Sequence, residues 1–146
     1  MYSEALGVLI SGDQLLPRII SNGSVRAAKP EANPMQCWIE SLEGLKALPE
    51  DTLVLPAHER PFYGLQARLT ELIEEHMETL IRVEALCSEP LTVMQLVGLV
   101  YQRKLTLFDQ LLAGGECLAN LNYLLAEKRL QCYCDENDVL VFAQPD

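Results

Sequence analysis

The chain has few of the residues from which metal and redox centres are built. It holds two histidines, His58 and His76, and five scattered cysteines with no CxxC pair. Such a cysteine set fits a reducing, cytoplasmic setting. Cys132 and Cys134 form a CxC, but alternation along a strand would put both on one face without any chemistry. Cations are scarce as well: 11 Lys and Arg stand against 21 Asp and Glu, a net charge of -10. Nucleic-acid binders need a basic face to displace counterions, so a polyanion partner is excluded, as is docking on an acidic membrane surface. No apolar run approaches the roughly 20 residues of a spanning helix. Met1 to Ile10 carries Glu4 and no basic region, so it does not read as a signal peptide.

What is present is ordinary for a globular protein. Apolar residues make up 49% and charged residues 22% of 146, enough for one core or two small ones. Leu6 to Ser11 reads as a buried strand ending at Gly12-Asp13. Such a strand needs neighbours on both sides, and the residues upstream are expected to encode none, which points to a missing element before it. Pairing on both sides within one chain would mark a self-sufficient sheet; an exposed strand would mark a missing partner. Gln14 to Asn33 is irregular, and a loop of that length is usually functional. Asn33 and Pro34 predict a helix start, and Met35, Trp38, Ile39, Leu42 and Leu45 continue it with apolar periodicity. Thr52 to Leu55 is a second short buried strand, stopping at Pro56. A long helix is predicted over 66–86, a short one capped by Thr92, and a third over about 108–127, weakened by Gly114 and Gly115. Two strands around Asp135 to Asp138 predict a hairpin. Helix, short helix, helix, hairpin is the order of a winged helix.

Asp13 and His58 each follow a buried strand. In open α/β sheets, ligands bind beyond the carboxyl ends of strands, so a carboxylate and an imidazole there could share a site. Taken alone, Asp13 after Gly12 reads first as a plain turn residue, and His58 between two prolines equally as a loop residue. His76, on the apolar side of the long helix, reads as a packing residue. Arg18 and Arg60 read as solvated loop charges that could also meet an anionic substrate.

The order LISGDQLLPRI, DTLVLPAHERPF and EEHMETLIRV resembles the second half of metallo-β-lactamase-fold hydrolases. PLTVMQLVGLVY and CLANLNYLLAEKRLQC resemble the winged-helix extension carried by one branch of them. The resemblance covers nearly the whole chain. It implies an α+β fold: a partial αββα half of few strands plus helices over 1–67, then a winged-helix domain over 68–146. It implies that Asp13 bridges two metal ions, expected to be zinc, and that His58 is a terminal ligand. It implies metal-assisted hydrolysis of an ester, thioester, lactone or phosphodiester, with the loop from Gln14 to Asn33 as part of the substrate wall and Arg18 and Arg60 as substrate contacts.

The departures bear on activity. The HxHxDH run of the family and its further histidine cannot be present with two histidines in the chain. Asp13 and His58 supply two of the three protein ligands a catalytic zinc needs. Ala57 stands for the glycine before the ligand histidine, a cost if that turn requires positive φ, and Glu59 for a small residue after it. Glu75 and Thr79 stand where the family often has other side chains around His76. The chain is therefore expected to be the C-terminal piece of a metal-dependent hydrolase, inactive alone, with no catalytic residue beyond the two ligands. Its expected partner is a second copy or the missing N-terminal half. The competing expectation is an acidic winged-helix interaction module without catalysis. DNA reading is excluded by the third helix, which lacks Lys and Arg from Asp109 to Glu127; packing on the hydrolase half, shaping its substrate entrance, or dimerisation is expected of it instead.

Overall fold

The computed structural model describes residues 1–21 and 23–145; residue 22 of the predicted loop and residue 146 of the predicted second domain lie outside the described residues. Contacts divide the chain into two compact units, one of Met1–Asn22 with Cys37–His76, the other of Gly23–Gln36 with Met77–Asp146.

The first unit holds a three-stranded sheet in the order β1 (Tyr2–Ser3), β2 (Val8–Gly12), β3 (Leu53–Pro56). β1 is antiparallel to β2, and β2 is parallel to β3. The strand predicted at Leu6 thus begins at Val8, and its upstream neighbour exists. A 3-10 turn over Glu4–Leu6 and left-handed Gly7 reverse the chain so that Tyr2 pairs Leu9 and Ser3 pairs Val8. The terminal ammonium donates to the Ile10 carbonyl at 2.8 Å. Two residues carry no readable period, which is why this strand is invisible in the sequence. β2 is paired on both sides within the chain, the outcome expected of a self-sufficient sheet and not of an exposed strand awaiting a partner, but it is not the fully buried strand its apolar run suggests. Leu9 is buried, whereas Ile10 is 53% exposed. Leu9 joins Val54, Leu42, Leu65, Leu69 and Leu72 in a core on one face of the sheet.

Helix α1 (Pro34–Leu45) begins where Asn33 and Pro34 predict: the Asn33 side chain accepts from the Gln36 N–H at 3.1 Å. α2 (Leu65–Leu86) is the long helix. α3 (Val93–Val100) is closed by a capping box between Thr92 and Gln95, and α4 (Leu107–Ala126) by one between Thr106 and Asp109. The antiparallel hairpin β4 (Gln131–Cys134) and β5 (Leu140–Ala143) follows, its turn held by the Asp135 carboxylate, which accepts from the Asn137 and Val139 N–H groups. The second core gathers Leu80, Leu96, Val97, Leu121, Leu124 and Phe142. No helix among the described residues is long and apolar enough to cross a membrane.

Gly114 and Gly115 do not break α4. Gly115 has a packing role: a Cβ there would stand 2.8 Å from the Val25 carbonyl oxygen and 2.9 Å from the Ser24 Cβ. The Val25 N–H donates back to the Gly115 carbonyl at 3.0 Å, and Asn122 donates to the Pro30 and Ala32 carbonyls, each at 2.8 Å. The segment 23–32 therefore lies along this side of α4 at backbone distance. At Gly114 the nearest atom to a Cβ is the Met94 sulfur at 3.9 Å. The two adjacent substitutions should have opposite signs. In urea denaturation, Gly115→Ala should cost about 1–3 kcal/mol through overpacking, and Gly114→Ala should gain about 0.5–1 kcal/mol of helix propensity.

Candidate metal centre

The parallel register Val8–Leu53, Leu9–Val54, Ile10–Leu55 slips by one at Ser11, so that Gly12 pairs Pro56. The extra residue is a β-bulge, a feature common beside active sites. The Ser11 hydroxyl donates to the Leu15 carbonyl at 2.9 Å, and the Ala57 N–H donates to the Gly12 carbonyl at 3.0 Å. Gly12 takes φ +59°, a conformation that glycine adopts without strain, and the chain turns at once into Asp13. The second turn is tied at its base. Val54 and Phe62 exchange backbone hydrogen bonds at 2.9 and 3.0 Å, closing residues 55–61 into a loop that carries His58.

The two turns bring the two predicted ligands together. His58 Nε2 lies 3.3 Å from Asp13 Oδ1, with the side chains 66% and 68% exposed. Ala57 does not take a positive φ, so the cost that would have followed there does not arise; Glu59 takes +70°. A non-glycine residue in that region costs of order 1–3 kcal/mol. From there the Glu59 carboxylate reaches Arg18, whose Nε and Nη2 stand 2.8 and 2.7 Å from its Oε1. Arg18 is thus occupied by an acid of the neighbouring turn. Arg60 has no acidic partner among the described residues, and it lines a cleft with Pro17, Arg18, Glu59, Pro61 and Phe62.

One supporting residue escaped the sequence reading. Arg68 of α2 is buried, and its guanidinium donates to the Leu16 carbonyl at 2.8 Å and to the Ile19 carbonyl at 3.2 Å, while pairing with Glu71 at 2.6 Å. It holds the segment that follows Asp13. The available signal was its position: 65, 68, 69 and 72 share one helix face, and a lone cation inside an apolar stripe calls for buried acceptors. His76, the other histidine, packs its ring edge-on to Trp38 with centroids 4.3 Å apart. The buried thiols offer no nucleophile, since burial pushes Cys117 up to about 12 and raises Cys87.

Among the described residues, no three His, Cys, Asp or Glu side chains gather to hold a metal. The donors that do meet, a carboxylate oxygen and an imidazole nitrogen, suit zinc, and bound to one tetrahedral ion they would stand roughly 3.3 Å apart. The pair fits two corners of such a site.

Residues 80–145 match the family model of the metallo-beta-lactamase-like C-terminal domain. The chain is similar to the crystal structure of a beta-lactamase domain protein from Burkholderia ambifaria, with 38% identity and a TM-score of 0.93, covering 99% of this chain and 43% of that one. It is also similar to a metallo-beta-lactamase family protein from Thermus thermophilus, with 27% identity and a TM-score of 0.83, covering 99% of this chain and 44% of that one. No curated protein matches it. Fold and sequence together define a mixed α+β chain of the metallo-β-lactamase class. The chain belongs to the metallo-beta-lactamase-like family, corresponds to its C-terminal part, and spans less than half the length of the solved relatives it matches.

Burial of His76 lowers its pKa below the ordinary 6.5. The unfolded chain therefore takes up a proton near pH 6.5, and the folded chain only at lower pH. This contribution to stability is full above 6.5 and declines as pH falls from 6.5 towards the folded value. His76→Phe should keep the ring contact with Trp38 and remove that component, flattening the curve of Tm against pH just below 6.5.

Proposed function

We propose that this chain is the C-terminal part of a metal-dependent hydrolase, with zinc as its metal and an ester, thioester, lactone or phosphodiester as its substrate. Asp13 and His58 are the ligands it contributes. The observation that carries this reading is the 3.3 Å approach of His58 Nε2 to Asp13 Oδ1 at the carboxyl ends of two paired parallel strands. Asp13 brings a negative charge and free carboxylate oxygens; His58 brings a neutral nitrogen once its proton is lost. A metal held there supplies Lewis-acid activation of water and of the bond to be cleaved. The remaining ligands come from outside this chain, from a preceding half or from a second copy, so the chain alone is inactive.

The domain reading proposed with it is a hydrolase part over 1–67 and a winged helix over 68–146, whereas the compact units assign 23–36 to the second and 68–76 to the first. The succession of α2, α3, α4 and the β4–β5 hairpin supports the winged helix. It is not a nucleic-acid reader: α4 has no Lys or Arg, and the hairpin turn carries Asp135, Glu136 and Asp138. A reducing, cytoplasmic setting accords with the five unpaired cysteines.

Calorimetric titration with zinc and with manganese tests the ligand pair. Measurable zinc binding should disappear in both Asp13→Ala and His58→Ala. Equal heats in wild type and variants would sink the assignment.

A second reading, an interaction module without catalysis, is favoured by one observation. Met94, Leu107, Phe108 and Leu111 form an exposed apolar surface around a cleft on α3 and α4. Contiguous apolar patches of that kind mark interaction sites. On this reading, light scattering should show self-association that Phe108→Glu abolishes; a monomer at high concentration removes the support.

A further inference from the structure

The turn that carries His58 also builds the cleft of about 570 Å³ lined by Pro17, Arg18, Glu59, Arg60, Pro61 and Phe62. Its charges are unevenly engaged. Arg18 lies against Glu59 through two nitrogens on one carboxylate oxygen. Arg60 has no acid beside it among the described residues, so the three charged side chains sum to one positive charge. The other lining residues, two prolines and Phe62, are apolar. Asp13, which pairs with His58, is not part of the lining. A guanidinium recognises an oxyanion through paired N–H donors, and an aromatic and proline wall accepts an apolar group beside it.

We propose that this cleft takes an oxyanion, carboxylate or phosphate, borne on an apolar or aromatic group, with Arg60 as its anchor and Glu59 as the competitor that keeps Arg18 from joining in. The inference rests on the hydrolase reading, for it places an anionic part of the substrate beside the two metal ligands. It assigns the two arginines different roles: Arg60 binds, and Arg18 is held in reserve by the carboxylate one residue before Arg60. Glu59 combines a left-handed φ of 70° with a carboxylate in contact with Arg18.

The test uses the purified chain without added metal, so that its outcome is independent of whether Asp13 and His58 bind zinc. Benzoate, phenyl phosphate and neutral benzyl alcohol are titrated while the backbone amide resonances of Glu59, Arg60 and Phe62 are followed by NMR. Both anions should shift these resonances, and benzyl alcohol should not. The tighter of the two anions identifies the natural group as carboxylate or phosphate. Arg60→Gln should weaken anion binding by about five- to tenfold. Glu59→Gln should tighten it by freeing Arg18, and the double change Glu59→Gln with Arg18→Gln should cancel that gain. Arg18→Gln alone, with Glu59 in place to hold that arginine, should cost little; a loss of the same size with and without Glu59 is what summed charge gives, and it would overturn the role given to Arg18. Anion binding that Arg60→Gln leaves unchanged, equal binding of benzyl alcohol, or no response to either anion would overturn the site itself. Arg60 is exposed and has no acidic partner among the described residues, so an unchanged Tm of Arg60→Gln separates loss of binding from loss of fold.

Discussion

The parallel pairing of β2 with β3 is the constraint on which the candidate centre depends. Asp13 and His58 are 45 positions apart and meet because their strands end side by side. The register alone is insufficient. It is the bulge at Ser11 that brings Gly12 level with Pro56, and the left-handed Gly12 that turns the chain into Asp13 on leaving the strand. A register slip of one residue would send every side chain of β2 to the opposite face. Leu9 would leave the core it shares with Val54 and Leu42, so hydrophobic burial in the first unit enforces the geometry of the polar pair.

The two turns are then fixed by backbone satisfaction more than by charge. Arg68 spends its donors on the carbonyls of Leu16 and Ile19, in a stretch with no secondary structure of its own to use them. The Leu16 carbonyl, buried with its residue, would cost about 1–3 kcal/mol without its donor, more than the Arg18–Glu59 pair contributes, since an ion pair with one partner so exposed is worth about 0–1 kcal/mol. The clasp between Arg18 and Glu59 therefore sets which cation is available in the cleft and adds little to the stability of the fold.

Helix starts were the most legible part of the sequence. Asn33 with Pro34, and Thr92, mark real caps because capping is local chemistry, decided within four residues. The meeting of Asp13 and His58 followed from strand ends and the family resemblance, and the structure brings the two side chains together. What escaped depends on distant partners. β1 is two residues long and exists only through β2. The apolar run of β2 reads as buried on both faces, yet Ile10 faces outward. Gly115 looks like a helix weakness until the segment at Ser24 and Val25 is seen against it. The left-handed backbone of the histidine turn belongs to Glu59, which no local residue type in the sequence marks.

On the proposed reading, the exposure of Asp13 and His58 is a property of a site built to receive a cation and not of an ion pair that supports the fold. A buried pair would have to be stripped of its mutual contact before a metal could enter, with a desolvation penalty on each side chain. Here both side chains remain mostly in water, so their direct contact contributes little and opposes little. Their separation already matches roughly the edge of a zinc tetrahedron, so a metal could take both donors without moving either strand end. The rigid parts, β2, β3 and Arg68, set the distance, while the soft parts, two hydrated side chains, make the exchange. That division places the missing chemistry in the ligands this chain does not carry, and leaves to it the holding of two corners of the centre and the cation of the adjoining cleft.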